Sequence, residues 1–190
     1  YKASEKAGAD GVMVVTPYYN KPTQAGVLTH FRLIADATDL PVILYDIPGR
    51  AGIAISHDTF LRAAKHPNII AVKDAKGDLA QASRIMNETD LMYFSGDDAN
   101  VLPHVSIGAT GMISVTANIA PAAYREMMDA TNRNDFHHAL KVHNSLEPLQ
   151  RAAMTHVPGT VAAKYILHGL GIISSPRVRL PLVGPEDAEA

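Results

Sequence analysis

Lys73 ends the apolar run IIAVK at residues 69–73. A lysine at the end of a buried strand is partly desolvated, which lowers its pKa and frees a neutral amine to attack a carbonyl. The plainer reading is a lysine that reaches back to solvent or pairs with its neighbour Asp74. On the local sequence the two readings stand level, because structural ion pairs also occupy strand ends. Tyr45 holds the same place on the preceding run, PVILYDI at 41–47. A phenol there can relay protons, although a lone tyrosine is more often a core residue whose hydroxyl meets backbone. Arg50 follows in the loop PGR. Its guanidinium could grip a carboxylate through two parallel hydrogen bonds, although a loop arginine taken alone is more often a surface charge.

Other polar residues are weaker candidates. Tyr18 and Tyr19 sit side by side in TPYYNKP; adjacent aromatics point in different directions, one toward a site and one toward an interface. Gly96 in SGDDAN lets backbone approach a ligand closely. The tandem Asp97-Asp98 suggests a divalent cation, but no further carboxylates cluster in the nearby sequence and a helix N-cap explains it better. The nine histidines lack the paired spacing of a metal site: His137 and His138 are adjacent and His143 is five residues on. All nine, including His30, His57, His66 and His104, read as structural or solvent-facing. Met127-Met128 reads as core.

These residues need elements to hold them. Five short runs have strand character: residues 11–16 (GVMVVT), 41–47 (PVILYDI), 69–75 (IIAVKDA), 91–95 (LMYFS) and 111–116 (GMISVT). Apolar nearly throughout, they fit parallel strands buried on both faces. Helical spacing appears between them. Val27, Leu28, Phe31, Ile34 and Ala35 form one apolar stripe. Ser56 can cap a helix bearing Phe60, Leu61 and Ala64, and Asp78 one bearing Leu79, Ala82, Ile85 and Met86. Asp97-Asp98 precede a short helix with Val101, Leu102 and Val105, whose first turn suits Pro103. After the last strand, residues 121–132, 135–154 and 160–170 read as three successive helices, the middle one kinked by Pro148. The tail RVRLPLVGPEDAEA reads as irregular.

Strand alternating with helix predicts an α/β fold with a parallel sheet. A doubly wound sheet would require a nucleotide site, and neither G-x-G-x-x-G nor a P-loop occurs. The favoured architecture is a (β/α)8 TIM barrel, incomplete, holding about its last five βα units over 1–119, with a C-terminal three-helix region over 120–190. A complete barrel takes about 250 residues, and this chain has 190. The opening YKASEKAGADG reads as the end of a helix begun earlier, and there is no initiator Met; both predict a fragment. Hydrophobic residues make up 47% and charged residues 19%, a balance that favours a folded core over disorder. A net charge of -2 gives no electrostatic reason to expect nucleic acid or an anionic membrane as partner. With no cysteine, disulfides and thiolate metal sites are excluded, and a reducing cytoplasm is compatible. No apolar stretch approaches the roughly 20 residues of a membrane span.

Five motifs in order resemble the pyruvate-dependent class I lyase superfamily that includes dihydrodipicolinate synthase and N-acetylneuraminate lyase. They are TPYYNKPTQAG (16–26), LYDIPGRAG (44–52), IIAVKDAKGDL (69–79), SGDDAN (95–100) and GATGMISVTAN (108–118). Arg50 after Pro48-Gly49 resembles the dihydrodipicolinate synthase branch rather than the sugar-acid lyases. The resemblance implies that Lys73 forms an imine with pyruvate and that the derived enamine attacks L-aspartate 4-semialdehyde. Cyclisation would then release hydroxy-tetrahydrodipicolinate for lysine biosynthesis. It further implies that Tyr45 moves protons beside the imine, that Arg50 binds the aldehyde's carboxylate, and that Gly96 and Ile113 line the pyruvate site through their backbones. Tyr19 is implied to complete a proton relay from a neighbouring subunit of a homo-oligomer, typically a dimer of dimers. No cofactor or metal is implied. Asp74 stands where many members have Glu, and Asp46 where many have Asn. A Gly-Thr-Thr-Gly-Glu motif expected to help hold pyruvate, and most of a lysine feedback site, would lie upstream of Tyr1. The isolated chain is therefore expected to show little activity.

Overall fold

The computed structural model describes residues 1–185. The chain divides into two compact units, Tyr1–Ile113 and a second from Ser114 onward. The first unit opens with helix α1 (Lys2–Lys6) and then alternates strand and helix. In order these are β1 (Val12–Val15), α2 (Gln24–Ala35), β2 (Val42–Asp46), α3 (Pro48–Ala51), α4 (His57–Ala63), β3 (Ile69–Asp74), α5 (Leu79–Glu88), β4 (Met92–Ser95), α6 (Val101–Ser106) and β5 (Gly111–Met112). The five strands are parallel and follow chain order across one sheet. That is the arrangement of successive βα units in a barrel wall, which when closed has eight strands.

The expected caps are in place. Ser56 accepts the Thr59 N–H at the start of α4, and Asp78 accepts the Gln81 N–H at the start of α5. Thr23, unforeseen, caps α2 through the Gly26 N–H. Each satisfies a backbone donor that the first helical turn leaves orphaned, for about 1 kcal/mol. The core lies between the helices and one face of the sheet. Val27, Phe31 and Ala35 of α2, Phe60 of α4 and Ile85 of α5 are buried against Val42, Leu44, Val72 and Tyr93 of the strands. Each large apolar side chain so buried contributes about 1.5–3 kcal/mol.

Burial on both sheet faces was expected, and the second face differs. Met13 and Met92 remain 48% and 40% exposed. In a barrel that face is covered by strands across the interior, and five strands do not close one. The last strand is also shorter than residues 111–116. It pairs with β4 only through Phe94↔Gly111 and Ser95↔Met112. β4 ends at Ser95, whose carbonyl takes one last bond from the Ile113 N–H, and the chain then turns into a 3₁₀ turn at Thr116–Asn118.

In the second unit, α7 (Pro121–Asn132), α8 (Phe136–Thr155) and α9 (Gly159–Gly169) match the three expected helices to within a residue or so at each end. Asn134 takes the left-handed turn between the first two (φ 60°), and Asp135 caps α8 through the His138 N–H. Tyr124 is fully buried; its hydroxyl lies 2.6 Å from Thr116 Oγ1 and accepts from Gln150 Nε2. Pro148 lies inside α8, which is continuous through it. The tail has no regular structure through residue 185, and its final five residues, EDAEA, lie outside the described residues.

Candidate active site

A register shift assembles the site. Val42 of β2 lies opposite Ile69, but the next residue, Ile43, lies opposite Ala71. The extra residue, Ile70, moves β3 on by one position, so Tyr45 faces Lys73 and Asp46 faces Asp74. Without it Tyr45 would face Val72, whose side chain points to the other side of the sheet. Lys73 then stands beside Tyr45 at the carboxyl end of the sheet, with Phe94 of β4 on its other flank.

Lys73 Nζ lies 4.1 Å from the centroid of the Tyr45 ring. Its stem runs against Gly96: a Cβ at that residue would come within 2.9 Å of both Lys73 Cγ and Cε, and 3.2 Å from the Asp74 carbonyl. Gly96 is tied there by its N–H, which donates to the Asp74 carbonyl at 2.7 Å. Burial lowers the Lys73 pKa, and the carboxylate of Asp98 opposes that by favouring the ammonium. Burial likewise raises the Tyr45 phenol, with the Arg50 charge pulling the other way. Side by side thus stand an amine pushed toward neutrality and a phenol kept protonated.

Arg50 is exposed on α3, a single helical turn where the sequence predicts loop. Pro48 at its start and Gly52 after its end, in the left-handed region at φ 77°, were the available signals. Gly52 is also crowded by Lys21 Cε, 2.9 Å from where a Cβ would stand. Gln24 of α2 secures the following segment, donating to the Ala54 carbonyl and accepting from the Ser56 N–H and the Thr59 hydroxyl. Arg50 shares one cleft with Tyr45, Tyr18 and Ile47. The backbone of Ile113 is fixed beside the end of β4 by its N–H bond to the Ser95 carbonyl.

Among the expected residues, Lys73, Tyr45 and Gly96 come together, and Arg50 lines the same cleft as Tyr45. Tyr19 does not join them: it is 92% exposed, with φ 72°, and its neighbour Tyr18 enters the cleft instead. Asp97 caps the turn that follows it through the Ala99 N–H. Asp98 is buried and its charge favours the Lys73 ammonium, a role beyond the N-cap expected of the pair.

Asp74 is not the partner of Lys73 that the plainer sequence reading allows. Among the described residues no ion pair joins it to Lys73. Its carboxylate turns to the helix-facing side, where Oδ1 accepts the Lys76 and Gly77 N–H groups and Oδ2 accepts the Tyr93 hydroxyl. His104, fully buried on α6, places Nε2 3.7 Å from Oδ2. Burial alone would raise the Asp74 carboxyl; the nearby His104 and the hydrogen bonds from Gly77, Tyr93 and Lys76 outweigh it and hold it below the ordinary carboxylate value. Next to it Asp46 goes the other way. Burial, opposed by the Ile55 N–H and reinforced by the Asp74 charge, pushes its carboxyl up to about 7.

The family model described as the dihydrodipicolinate synthetase family matches residues 1–190. A 4-hydroxy-tetrahydrodipicolinate synthase of Kineococcus radiotolerans is 47% identical over 191 residues, covering 100% of this chain and 62% of that protein. The synthase of Acidothermus cellulolyticus is 49% identical, covering 95% and 58%. Among solved structures, the chloride-inhibited dihydrodipicolinate synthase of Acinetobacter baumannii complexed with pyruvate superposes with a TM-score of 0.93 at 38% identity, covering 99% of this chain and 65% of that one. The Thermotoga maritima enzyme gives 0.93 at 36%, with the same coverage. The chain thus spans 58–62% of the length of these two curated relatives.

Proposed function

This chain belongs to the dihydrodipicolinate synthetase family, and from that premise we propose that the protein condenses pyruvate with L-aspartate 4-semialdehyde to give 4-hydroxy-tetrahydrodipicolinate. The observation that carries this reading is Lys73, a half-buried lysine at the carboxyl end of a parallel strand, its amine over the Tyr45 ring. Neutral Nζ attacks C2 of pyruvate, and loss of water leaves an imine. The imine carbon draws electrons from C3, which gives up a proton to form the enamine. C3 of the enamine then bonds to the aldehyde carbon of the second substrate, whose oxygen takes up a proton. The amino group of the joined product attacks the imine carbon, closes the ring and expels the lysine amine.

Tyr45 is the proton carrier nearest the imine, a role supported by its position against Nζ and its raised pKa. Arg50 binds the carboxylate of the aldehyde substrate, supported by its place in the same cleft as Tyr45. The backbones of Gly96 and Ile113 border the pyruvate position. Tyr19 serves the site of a neighbouring subunit in a homo-oligomer, a role suited to a side chain that leaves its own cleft. We assign the reaction to the cytoplasm, on free small-molecule substrates.

Borohydride reduction in the presence of pyruvate tests the reading in a protein of the relatives' full length. Mass mapping should find a single reduced pyruvate adduct, on Lys73; an adduct elsewhere, or none, would remove it. Arg50→Ala should leave that adduct in place while lowering condensation with aspartate semialdehyde by at least about a hundred-fold, as expected for a lost bidentate carboxylate clamp. Unchanged condensation would redirect the second substrate to another class of aldehyde.

A further inference from the structure

Behind Lys73, on the opposite face of the sheet, lies a buried polar cluster that the proposed reaction does not use. Asp74, Tyr93 and His104 are 2%, 2% and 0% exposed. They come from three elements, β3, β4 and α6, and meet at one carboxylate. The Tyr93 and His104 rings stack with centroids 6.1 Å apart and planes at 25°. The Asn100 carbonyl accepts from His104 Nδ1 at 2.9 Å, so that nitrogen carries its proton. Nε2 then faces Asp74 Oδ2 at 3.7 Å with no hydrogen-bond partner of its own. A bare lone pair there would oppose a carboxylate, whereas a proton makes a buried ion pair. Burial disfavours that charge, and Asp74 together with the Asn100 carbonyl favours it by more.

Burying such a pair is a poor way to gain stability. Desolvation cancels most of the attraction, and apolar side chains of similar volume generally do as well. What the cluster does achieve is placement. The Asp74 side chain is anchored by four groups: two backbone N–H donors of the following turn, the Tyr93 hydroxyl and His104. The Asp74 main-chain carbonyl, thereby fixed, accepts the Gly96 N–H at 2.7 Å. Gly96 in turn forms the wall against which the stem of Lys73 lies. One continuous path therefore runs from the buried carboxylate to the reacting amine.

We propose that Asp74, Tyr93 and His104 are positioning residues, which set the Asp74 peptide and through Gly96 the line along which Lys73 meets a carbonyl. None touches substrate. The inference rests on Lys73 being the imine-forming residue. Displacement of an attacking atom by about 1 Å costs on the order of a hundred-fold in rate, so a loosened Asp74 peptide registers as slow imine formation at an otherwise intact site.

The test follows pyruvate imine formation in the full-length protein by borohydride quenching at intervals and intact mass. It compares wild type with Tyr93→Phe, Asp74→Asn and their double variant. Tyr93→Phe keeps the ring and its stacking and removes only the hydroxyl. Each single variant should reach the wild-type adduct stoichiometry at least about ten-fold more slowly, with kcat reduced and the KM for pyruvate within about two-fold. The double variant should be no slower than Asp74→Asn, since Tyr93 acts through that carboxylate. His104→Gln, which keeps a neutral donor toward Asp74, should fall between wild type and Asp74→Asn. A reduced adduct yield that forms at the wild-type rate would mean lost folding rather than lost placement, and overturns the proposal. So would unchanged rates, or effects in the double variant that multiply. Wild-type protein that gives no Lys73 adduct would instead overturn the functional reading, and this role with it.

Discussion

The space that Gly96 leaves empty belongs to Lys73. Any side chain at that position meets the Lys73 stem at 2.9 Å and the Asp74 carbonyl at 3.2 Å. The lysine is flexible and can give way; the carbonyl is main chain and cannot do so cheaply. Gly96→Ala should therefore fold, at a cost of about 1–3 kcal/mol for the overpacked methyl. It should also drive Nζ off the Tyr45 ring and slow pyruvate imine formation by at least about ten-fold. Thermal denaturation and borohydride trapping measure the two effects separately. A variant that loses stability yet traps pyruvate at the wild-type rate would show that the Gly96 wall does not guide the lysine. Residue types marked Lys73 and Tyr45 as candidates, because an amine ending an apolar run is chemically conspicuous. Tyr93 and His104 gave no such signal. A tyrosine within LMYFS and a histidine within a short helix look like core, and only the fold brings them to one carboxylate.

At the scale of elements, strand existence and order were legible because buried parallel strands read as continuous apolar runs. The register between them was not. Nothing in PVILYDI or IIAVKDA marks Ile70 as the extra residue, yet that shift makes Tyr45 and Lys73 neighbours and brings Asp46 and Asp74 side by side. Two adjacent buried carboxylates do not both ionise readily, and here Asp74 takes the charge while Asp46 holds its proton to about pH 7. Unfolded, Asp46 ionises near its ordinary value of 3.8. Between those values the folded protein binds more protons than the unfolded one, so Asp46 erodes stability as pH rises from about 4 to 7 and adds no further loss above. Asp46→Asn removes the titration, and its Oδ1 can still accept the Ile55 N–H. The variant should match wild type at pH 4 and exceed it by on the order of 2–4 kcal/mol at pH 8. Urea denaturation across that range is the measurement, and a pH-independent difference would rule out Asp46 as the source.

For the molecule as a whole, the revealing residue is Tyr19. It is a non-glycine residue in the left-handed region at φ 72°, followed closely by Lys21 at φ 44°. Such backbone costs on the order of 1–3 kcal/mol and persists where surrounding contacts impose it, but here the side chain is 92% exposed. A second copy of the protein would supply the missing contacts, and a relay tyrosine offered to that copy's site would explain both the strain and the exposure. Symmetric exchange between two subunits makes a prediction no single-chain role can match. A full-length Lys73→Ala protein has dead sites but an intact Tyr19, and a Tyr19→Phe protein has the reverse. Each should be nearly inactive alone. Co-expressed in equal amounts, half the dimers are mixed, and each mixed dimer holds one site with Lys73 from one chain and Tyr19 from the other. Activity should recover to about a quarter of the wild-type value per subunit. If Tyr19 serves its own chain, every site stays defective in any mixture, and activity remains at the sum of the two parents.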